Sequence, residues 1–575
     1  MGNFKKIIIF FLMQNLFSAN VEILKSIEKI KIERDSIFKE VEIKMKILNE
    51  RGTREAGTQE IEFNEKFEKI NLVYGRTIND RDTINLKDYS INIFPDPEIE
   101  EYPFLLNNKI MSLSFLGVQK NSIVEYKYKK MSKFEGKYDE IFIFREDHPV
   151  KEKIVEFEFP EDIKFKYKIK GDIDFKEERG NKKIKYTFSA KDLKEIKDEE
   201  RRPPDYSISP FIHLTNYSSW EEIVNEFKRK YFESKRCEGI EFKDVLDILK
   251  EVKVAKVSYD YTGFYPDSCE RTVKLKIGTA PERAFLMIKK MESPELIVVL
   301  KPLLNPDTIL PGISWIDGIL IKDKEKIYDP KFEFGNINYY PFSNRKGIFI
   351  NKERFYISEI PVSQKNMIEI EISIDLISNL LNINYKTCGI FDKIAKTSLF
   401  EYEKILKRDF LKEVFLKDIL SEFGEFEDES IEGKNTSSFE KNLEIEISSK
   451  IKNLTARSGN FEIIEIPELF KYPFHISKIN EERENLYFND EDLSLILKIY
   501  LAGKKLDLKT KRKEIKKGCG RLLKEIIYDD KEYKTHINLF LEIKRGILNK
   551  KEIREYNNLI EEFFSKENRV FILKF

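Results

Sequence analysis

The period of apolar positions changes several times along the chain. Val21 to Arg34 ("VEILKSIEKIKIER") is charged, with apolar residues spaced as on one face of a helix, and it predicts a helix. The period then becomes two. "VEIKMKIL" puts Val41, Ile43, Met45 and Ile47 on one face of a strand, and "IVEYKYKK" does the same with Val124, Tyr126 and Tyr128. In "IVEFEFPEDIKFKYKI", Val155, Phe157 and Phe159 precede a break at Pro160, and Ile163, Phe165, Tyr167 and Ile169 follow it. "IKYTF" adds Ile184, Tyr186 and Phe188. Alternation of this kind marks half-buried antiparallel strands and predicts a β-sandwich-like domain over 36–198.

Lys197 to Pro210 ("KDEERRPPDYSISP") is charged, proline-rich and poor in apolar residues, which suits a linker. Beyond it the period becomes helical. Trp220, Ile223, Phe227 and Tyr231 share one face, and Val245, Ile248 and Val252 another. Two helices are expected within Gly263 to Lys290. Strand candidates follow at Leu296–Pro302, Trp315–Ile321 and Lys326–Pro330. Helices followed by strands predict an α+β domain over 200–345. Ile368, Ile370, Ile372 and Ile374 then alternate strictly, and Thr397 to Leu420 reads as one long amphipathic helix. Strands return in "LEIEI", "NFEIIEI" and "DLSLILKIYL". The expectation for 350–575 is a β-rich domain with a helical insertion, and for the whole chain an α+β multidomain protein. No internal repeat or long low-complexity tract is evident.

Composition narrows the function. At 575 residues the chain is too long for one core. Its 102 basic and 102 acidic residues cancel, which removes the usual electrostatic case for nucleic acid as a partner. Lys5 and Lys6, then "IIIFFLMQNLF" and the small residues Ser18 and Ala19, read as a signal peptide over 1–19. Export to the periplasm or the extracellular space follows as an expectation. No later window is apolar enough for a membrane span. The four cysteines, Cys237, Cys269, Cys388 and Cys519, form no CxxC pair, and their spacing leaves open whether any are bonded. No metal or other cofactor is expected.

The stretch that carries the candidate chemistry is "GFYPDSCERTVKLKIGTAPERAFLMIKK", Gly263 to Lys290, with "LPGISWIDGILI" and "IYDP" after it. Their order and spacing resemble the transglutaminase-like domain, a branch of the papain-like cysteine protease fold. The joined layout resembles bacterial exported proteins that place a β-rich domain of unknown function before such a domain. The resemblance implies a nucleophile position at Ala280, a histidine position at Asp317 and an acid position at Asp329. A cysteine thiolate attacks an acyl carbon, an imidazole lowers its pKa, and a carboxylate orients the imidazole. Ala280 has no nucleophilic atom. Asp317 would raise a thiol pKa rather than lower it. The four histidines are His148, His213, His475 and His536, so none lies between Leu214 and Phe474. The expectation is a degenerate, non-catalytic member that binds or scaffolds at the cell envelope, with a peptide or envelope protein as possible ligand.

Competing readings stand beside this one. Cys269, eleven positions before Ala280, is either a migrated nucleophile in an active hydrolase or acyltransferase, or a buried inert thiol. Asp329 before Pro330, and Asp317 before Gly318, also suit plain turns. A purely structural envelope component is the third reading. Lys516 to Arg521 ("KKGCGR") lacks the spacing of a phosphate loop. The acidic cluster Glu427 to Glu429 lacks calcium-loop spacing. The basic run Lys504 to Lys517 is a solvated face or a contact for anionic envelope polymers.

Overall fold

The structure is a computed structural model. It describes residues 19–573 apart from 235, 236, 238–241, 406, 408, 460, 470–477, 482, 484, 485, 490, 491, 505–510 and 530. The expected signal peptide, His475 and the middle of the basic run lie outside the described residues, the first save for Ala19. Mostly β structure is arranged in several sheets and several domains.

The first unit is built on an eight-stranded sheet. Val21–Ile32, expected as a helix, is instead one of its central strands. It pairs antiparallel with Ser36–Ile47 and parallel with Val150–Pro160. A bulge between Ile23 and Lys25 explains the misreading. It shifts the inward set from Val21 and Ile23 to Ser26, Glu28, Ile30 and Ile32, so the apolar spacing imitates a helix. The unit therefore begins at this strand rather than at residue 36.

Two three-stranded sheets cover one face of the large one. Thr58–Asn64, Asn108–Ser114 and Ile91–Pro95 pack where Val21, Ile23, Met45 and Ile47 gather. Lys166–Lys170, Phe211–Thr215 and Asp139–Ile143 pack where Ile30, Phe157, Phe159 and Phe188 gather. Between the two apolar clusters runs an ionic layer. Lys39 Nζ lies 2.9 Å from Glu28 and 2.8 Å from Glu140, and Lys153 Nζ lies 2.6 Å from Glu146 and 3.9 Å from Glu28. Burial pushes the Glu28 carboxyl up, but Lys39 and Lys153 outweigh it and hold the group below its ordinary value.

Phe211–Thr215 lies beyond the expected linker yet belongs to the first unit, because its ladder runs to Asp139–Ile143 and Lys166–Lys170. The linker backbone from Arg202 to Pro204 is irregular, as expected, but it is not free. Arg201 O accepts from Phe488 N at 2.7 Å, and Glu200 O accepts from Arg483 Nη2 at 3.1 Å.

The central unit is a five-stranded antiparallel sheet in the order Lys326–Tyr328, Ile316–Asp323, Pro294–Leu300, Lys346–Ile350, Phe355–Glu359. The last two strands lie past the expected end of this domain at residue 345, where no strand was expected. They belong here because "KGIFI" is buried on both faces. Leu296, Val298 and Leu300 pack against helices Trp220–Tyr231, Val245–Glu251 and Ala280–Ile288, while Ile297 and Val299 pack on the opposite face with Leu320 and Phe349. Burial on both sides explains the unbroken apolar run "LIVVL".

A buried polar junction joins the first and central units. Trp315 Nε1 donates to His213 Nδ1 at 3.0 Å, and His213 Nε2 lies 2.7 Å from Asp139 Oδ1. With Nδ1 accepting, the proton sits on Nε2 and the imidazole is neutral. Ser314 N donates to the other Asp139 oxygen at 2.7 Å. Gly312 is required here, because a Cβ would stand 2.3 Å from Asp139 Oδ1.

The C-terminal unit repeats the plan of the first: two antiparallel halves joined by one parallel pair, here Asn366–Asp375 with Leu493–Ala502. The expected single helix over 397–420 is broken. One helix spans Ile390–Ile405, Lys407 adopts a left-handed φ of 53°, and helix resumes as a π-turn at Leu411–Leu416 and an α-helix at Lys417–Phe423. The charge runs lie at sheet edges. Lys511–Lys517 is one edge strand, and Phe426–Lys434, carrying Glu427 to Glu429, is the other. Charged edges discourage pairing with other chains.

Two measurements check the ionic layer. Lys153→Met leaves Glu28 and Glu146 without that cation and is expected to cost about 3 kcal/mol in denaturant unfolding. The folded-state value of Glu28 is depressed, so its contribution is present above about pH 4.5 and disappears as pH falls through the folded value. Glu28→Gln should flatten that acid limb of the stability curve.

Candidate functional site

The segment from Ser258 to Ile288 is a chain of capped helices. Ser258 Oγ accepts from Asp260 N at 3.2 Å and starts the short helix Tyr259–Thr262, which Gly263 ends with a φ of 63°. Ser268 caps Cys269–Leu275. Lys276 turns the chain with a φ of 56°, and Ile277–Gly278 pairs parallel with Lys253–Val254. Gly278 is forced, since a Cβ would meet Thr272 Cγ2 at 2.4 Å. Thr279 then caps Ala280–Ile288.

Ala280, the expected nucleophile position, is the first residue of that helix and 4% exposed. The helix start is closed by its own side chain. Glu282 accepts from Thr279 N at 2.8 Å, from Ser268 N at 3.1 Å and from Arg271 Nη2. Thr279 Oγ1 accepts in turn from Glu282 N at 3.4 Å, completing a capping box. Glu282 is fully buried. The positive end of the helix, which would favour a thiolate, already faces a carboxylate.

The next residue ties the helix to the expected acid position. Arg283, also fully buried, donates to Pro330 O and Phe332 O, both at 2.8 Å, and to Leu249 O at 3.3 Å. Burial pulls its guanidinium down to about 10, with nearby Asp329 and Glu333 opposing the shift. Asp329 is 6% exposed and accepts from Lys331 N at 2.8 Å, a local turn of the kind that Asp before Pro allows.

Asp317 is the extra residue of a β-bulge: Leu300 pairs with Ile316, and Val299 with Gly318. The bulge re-aims its side chain, which pairs with the guanidinium of Arg345. Asp317 and Asp329 share two neighbours that sequence reasoning missed. Burial, with the two carboxylates adding to it, drives the Tyr259 phenol far above its ordinary value. The Lys331 ammonium lies 4.1 Å from the Tyr259 ring centroid. Burial pulls Lys331 below its ordinary value, with Asp329 and Asp317 opposing. Cations and an aromatic ring thus stand around these two carboxylates.

Cys269 is joined to Cys237 in a disulfide across 32 residues, and Cys269 is 2% exposed. Cys388 and Cys519 are free, and burial raises both thiols. Among the described residues, the one grouping of three potential metal ligands is Cys237, Cys269 and Glu270, and its two sulfurs are already bonded to each other.

The first unit reaches over this region. Tyr261 Oη donates to Asp96 Oδ2 at 2.7 Å, and Lys256 N donates to Tyr102 Oη at 3.0 Å. The Arg271 guanidinium, which also holds Glu282, lies 4.4 Å from the Phe104 ring centroid.

Glu282→Ala strips three donors of a buried acceptor and should destabilise by about 3 kcal/mol, whereas Thr279→Ala should cost about 1 kcal/mol. Reducing the disulfide should cost about 3–4 kcal/mol by loop entropy. Chemical denaturation of each variant, with and without reductant, measures all three.

Residues 39–197 match a family model described as a domain of unknown function with a solved structure, DUF3857. No curated protein matches the chain. Among solved structures, one from Parabacteroides distasonis, described as a candidate protease, aligns over 97% of this chain and 100% of its own with a TM-score of 0.70 at 14% identity. An aminopeptidase A from Legionella pneumophila aligns over 34% of this chain and 21% of its own, at 10% identity and a TM-score of 0.21. An M1 zinc metallopeptidase from Deinococcus radiodurans aligns over 34% and 42%, at 7% and 0.19. The last two alignments are too slight to carry weight. The fold is therefore shared along nearly its whole length with the Parabacteroides protein, and the first unit resembles DUF3857.

Proposed function

We propose that the protein is an exported, non-catalytic binding or scaffolding protein of the cell envelope, whose central unit is a transglutaminase-like fold without its nucleophile and base. The observation that carries this reading is Glu282. A transglutaminase-like thiolate relies on an accessible helix start whose amides and dipole favour negative charge. Here that field is spent on a buried carboxylate held by Thr279, Ser268 and Arg271. A thiolate at position 280 would meet repulsion rather than stabilisation.

The other residues support the same reading. Ala280 offers only a methyl group, and Asp317 is engaged by Arg345. The alternative of an active hydrolase using Cys269 is disfavoured by its bond to Cys237, since a disulfide sulfur is not a nucleophile. The Parabacteroides protein is described as a candidate protease, but shared fold does not carry chemistry. The disulfide also favours an oxidising compartment, in keeping with export. A purely structural role is the remaining alternative. The close docking of the Tyr102 loop on Lys256 and of Phe104 on Arg271 speaks for it.

Thiol-directed acylating probes should leave the native protein unlabelled at this site. Ala280→Cys and Asp317→His, each alone, should leave amide hydrolysis and acyl transfer at background, because nucleophile and base act as a unit. Amide hydrolysis by the native protein that is lost in Cys269→Ala would overturn the reading.

A further inference from the structure

We propose that the cleft between the first and central units binds an extended peptide segment, which adds as a strand to the edge Asp139–Ile143. The inference deepens the binding role proposed above and rests on it. Asp139–Ile143 is the outer strand of its three-stranded sheet. Its ladder to Phe211–Thr215 is unbroken, from Ile143 opposite Phe211 to Asp139 opposite Thr215. Bonds at the two ends fix which residues face the partner: Phe144 N donates to Pro210 O at 2.9 Å, and Asn216 N donates to Tyr138 O at 3.1 Å. Antiparallel pairs alternate. Positions 138, 140, 142 and 144 therefore face inward, and the N–H and C=O groups of Asp139, Ile141 and Ile143 point outward.

The turn Ile313–Trp315 closes the Asp139 end of this edge. The outward groups of Ile141 and Ile143 meet no hydrogen-bond partner among the described residues. These same two residues line a cleft of about 420 Å³, whose other walls include Tyr206, Pro302, Lys301 and Asp317. Exposed edges are normally blunted by charge. The C-terminal sheet follows that rule, with lysines on one edge and acids on the other. This edge begins with Asp139 and Glu140, which are engaged by His213, Ser314 and Lys39, and its remaining stretch carries Ile141 and Ile143.

The geometry also selects the occupant. Outward backbone groups call for another backbone. A cleft of this size admits a few residues of extended chain rather than the edge of a folded sheet. Alternate apolar side chains of the segment would rest on Ile141, Ile143 and Pro302. Lys301 and the bulged Asp317 stand where polar side chains of the segment would reach.

Hydrogen exchange on the full-length protein tests this. The probe is a pool of end-blocked pentapeptides alternating Val or Ile with random residues, and the control is the same pool N-methylated along its backbone. The plain pool at millimolar concentration should slow exchange of the Ile141 and Ile143 amides by about ten-fold or more, and the methylated pool should not. Ile141→Pro deletes one outward N–H without breaking the ladder, so the plain pool should no longer slow the remaining Ile143 amide, and the unfolding midpoint should stay unchanged. Ile141→Val should keep both the protection and the midpoint. Slow exchange of these amides in the free protein, equal effects of the two pools, or no effect of either would overturn the inference. Those outcomes leave the non-catalytic reading standing, because it is judged by thiol labelling and amide hydrolysis. Hydrolysis of the pool would overturn that reading instead, whatever the amides show.

Discussion

One buried carboxylate organises the centre of this protein. Glu282 satisfies the amides of Thr279 and Ser268 and neutralises Arg271. Burying a charge is costly unless it is fully paired, so the surrounding geometry is constrained together. The Ser268 helix, the Gly278 turn and the start of the Ala280 helix are held by the same two oxygens. Arg283, one residue on, binds the carbonyls of Pro330 and Phe332 and fixes the strand end that carries Asp329. The start of the Ala280 helix thus serves as a structural anchor.

The anchor extends into the first unit. Arg271 reaches from Glu282 to the Phe104 ring, and the Asp139–His213–Trp315 junction pins the same two units at a second point. The irregular segment that precedes Phe211–Thr215 is fastened in turn to the C-terminal unit through Arg201 and Glu200. Two-point attachment restricts hinge motion more than either contact alone. The cleft lined by Ile143 and Asp317 is therefore a fixed gap between docked bodies.

Much of this was legible in the sequence. Strict alternation located the strands that are buried on one face, such as Val150–Pro160 and Asn366–Asp375. Turn chemistry marked the irregular backbone before Asp205. Reading failed where local pattern and tertiary pairing diverge. The bulge at Ile23 disguised a strand as a helix. Phe211–Thr215 and Lys346–Ile350 joined sheets on the far side of the expected boundaries, because strand partners are chosen by three-dimensional contact. At the site, the Thr279-x-x-Glu282 signature of a capping box was present and went unread. The Cys237–Cys269 bond, the Tyr259 and Lys331 neighbours and the buried His213 had no sequence signal, since each depends on residues distant in the chain.

The two large sheets share a plan with consequences for how the chain reaches its native state. In each, the opening strand is sealed on one side by a hairpin partner and on the other by a strand more than a hundred residues later, Ile30 beside Phe157 and Ile372 beside Ile499. Until that later strand emerges, the opening strand has one raw edge. Such non-local closure carries a large loop entropy and slows the search. During synthesis each terminal unit would pass through a half-sheet stage with an apolar edge exposed, so its assembly waits on the strand that closes the parallel pair rather than on the hairpin that forms first.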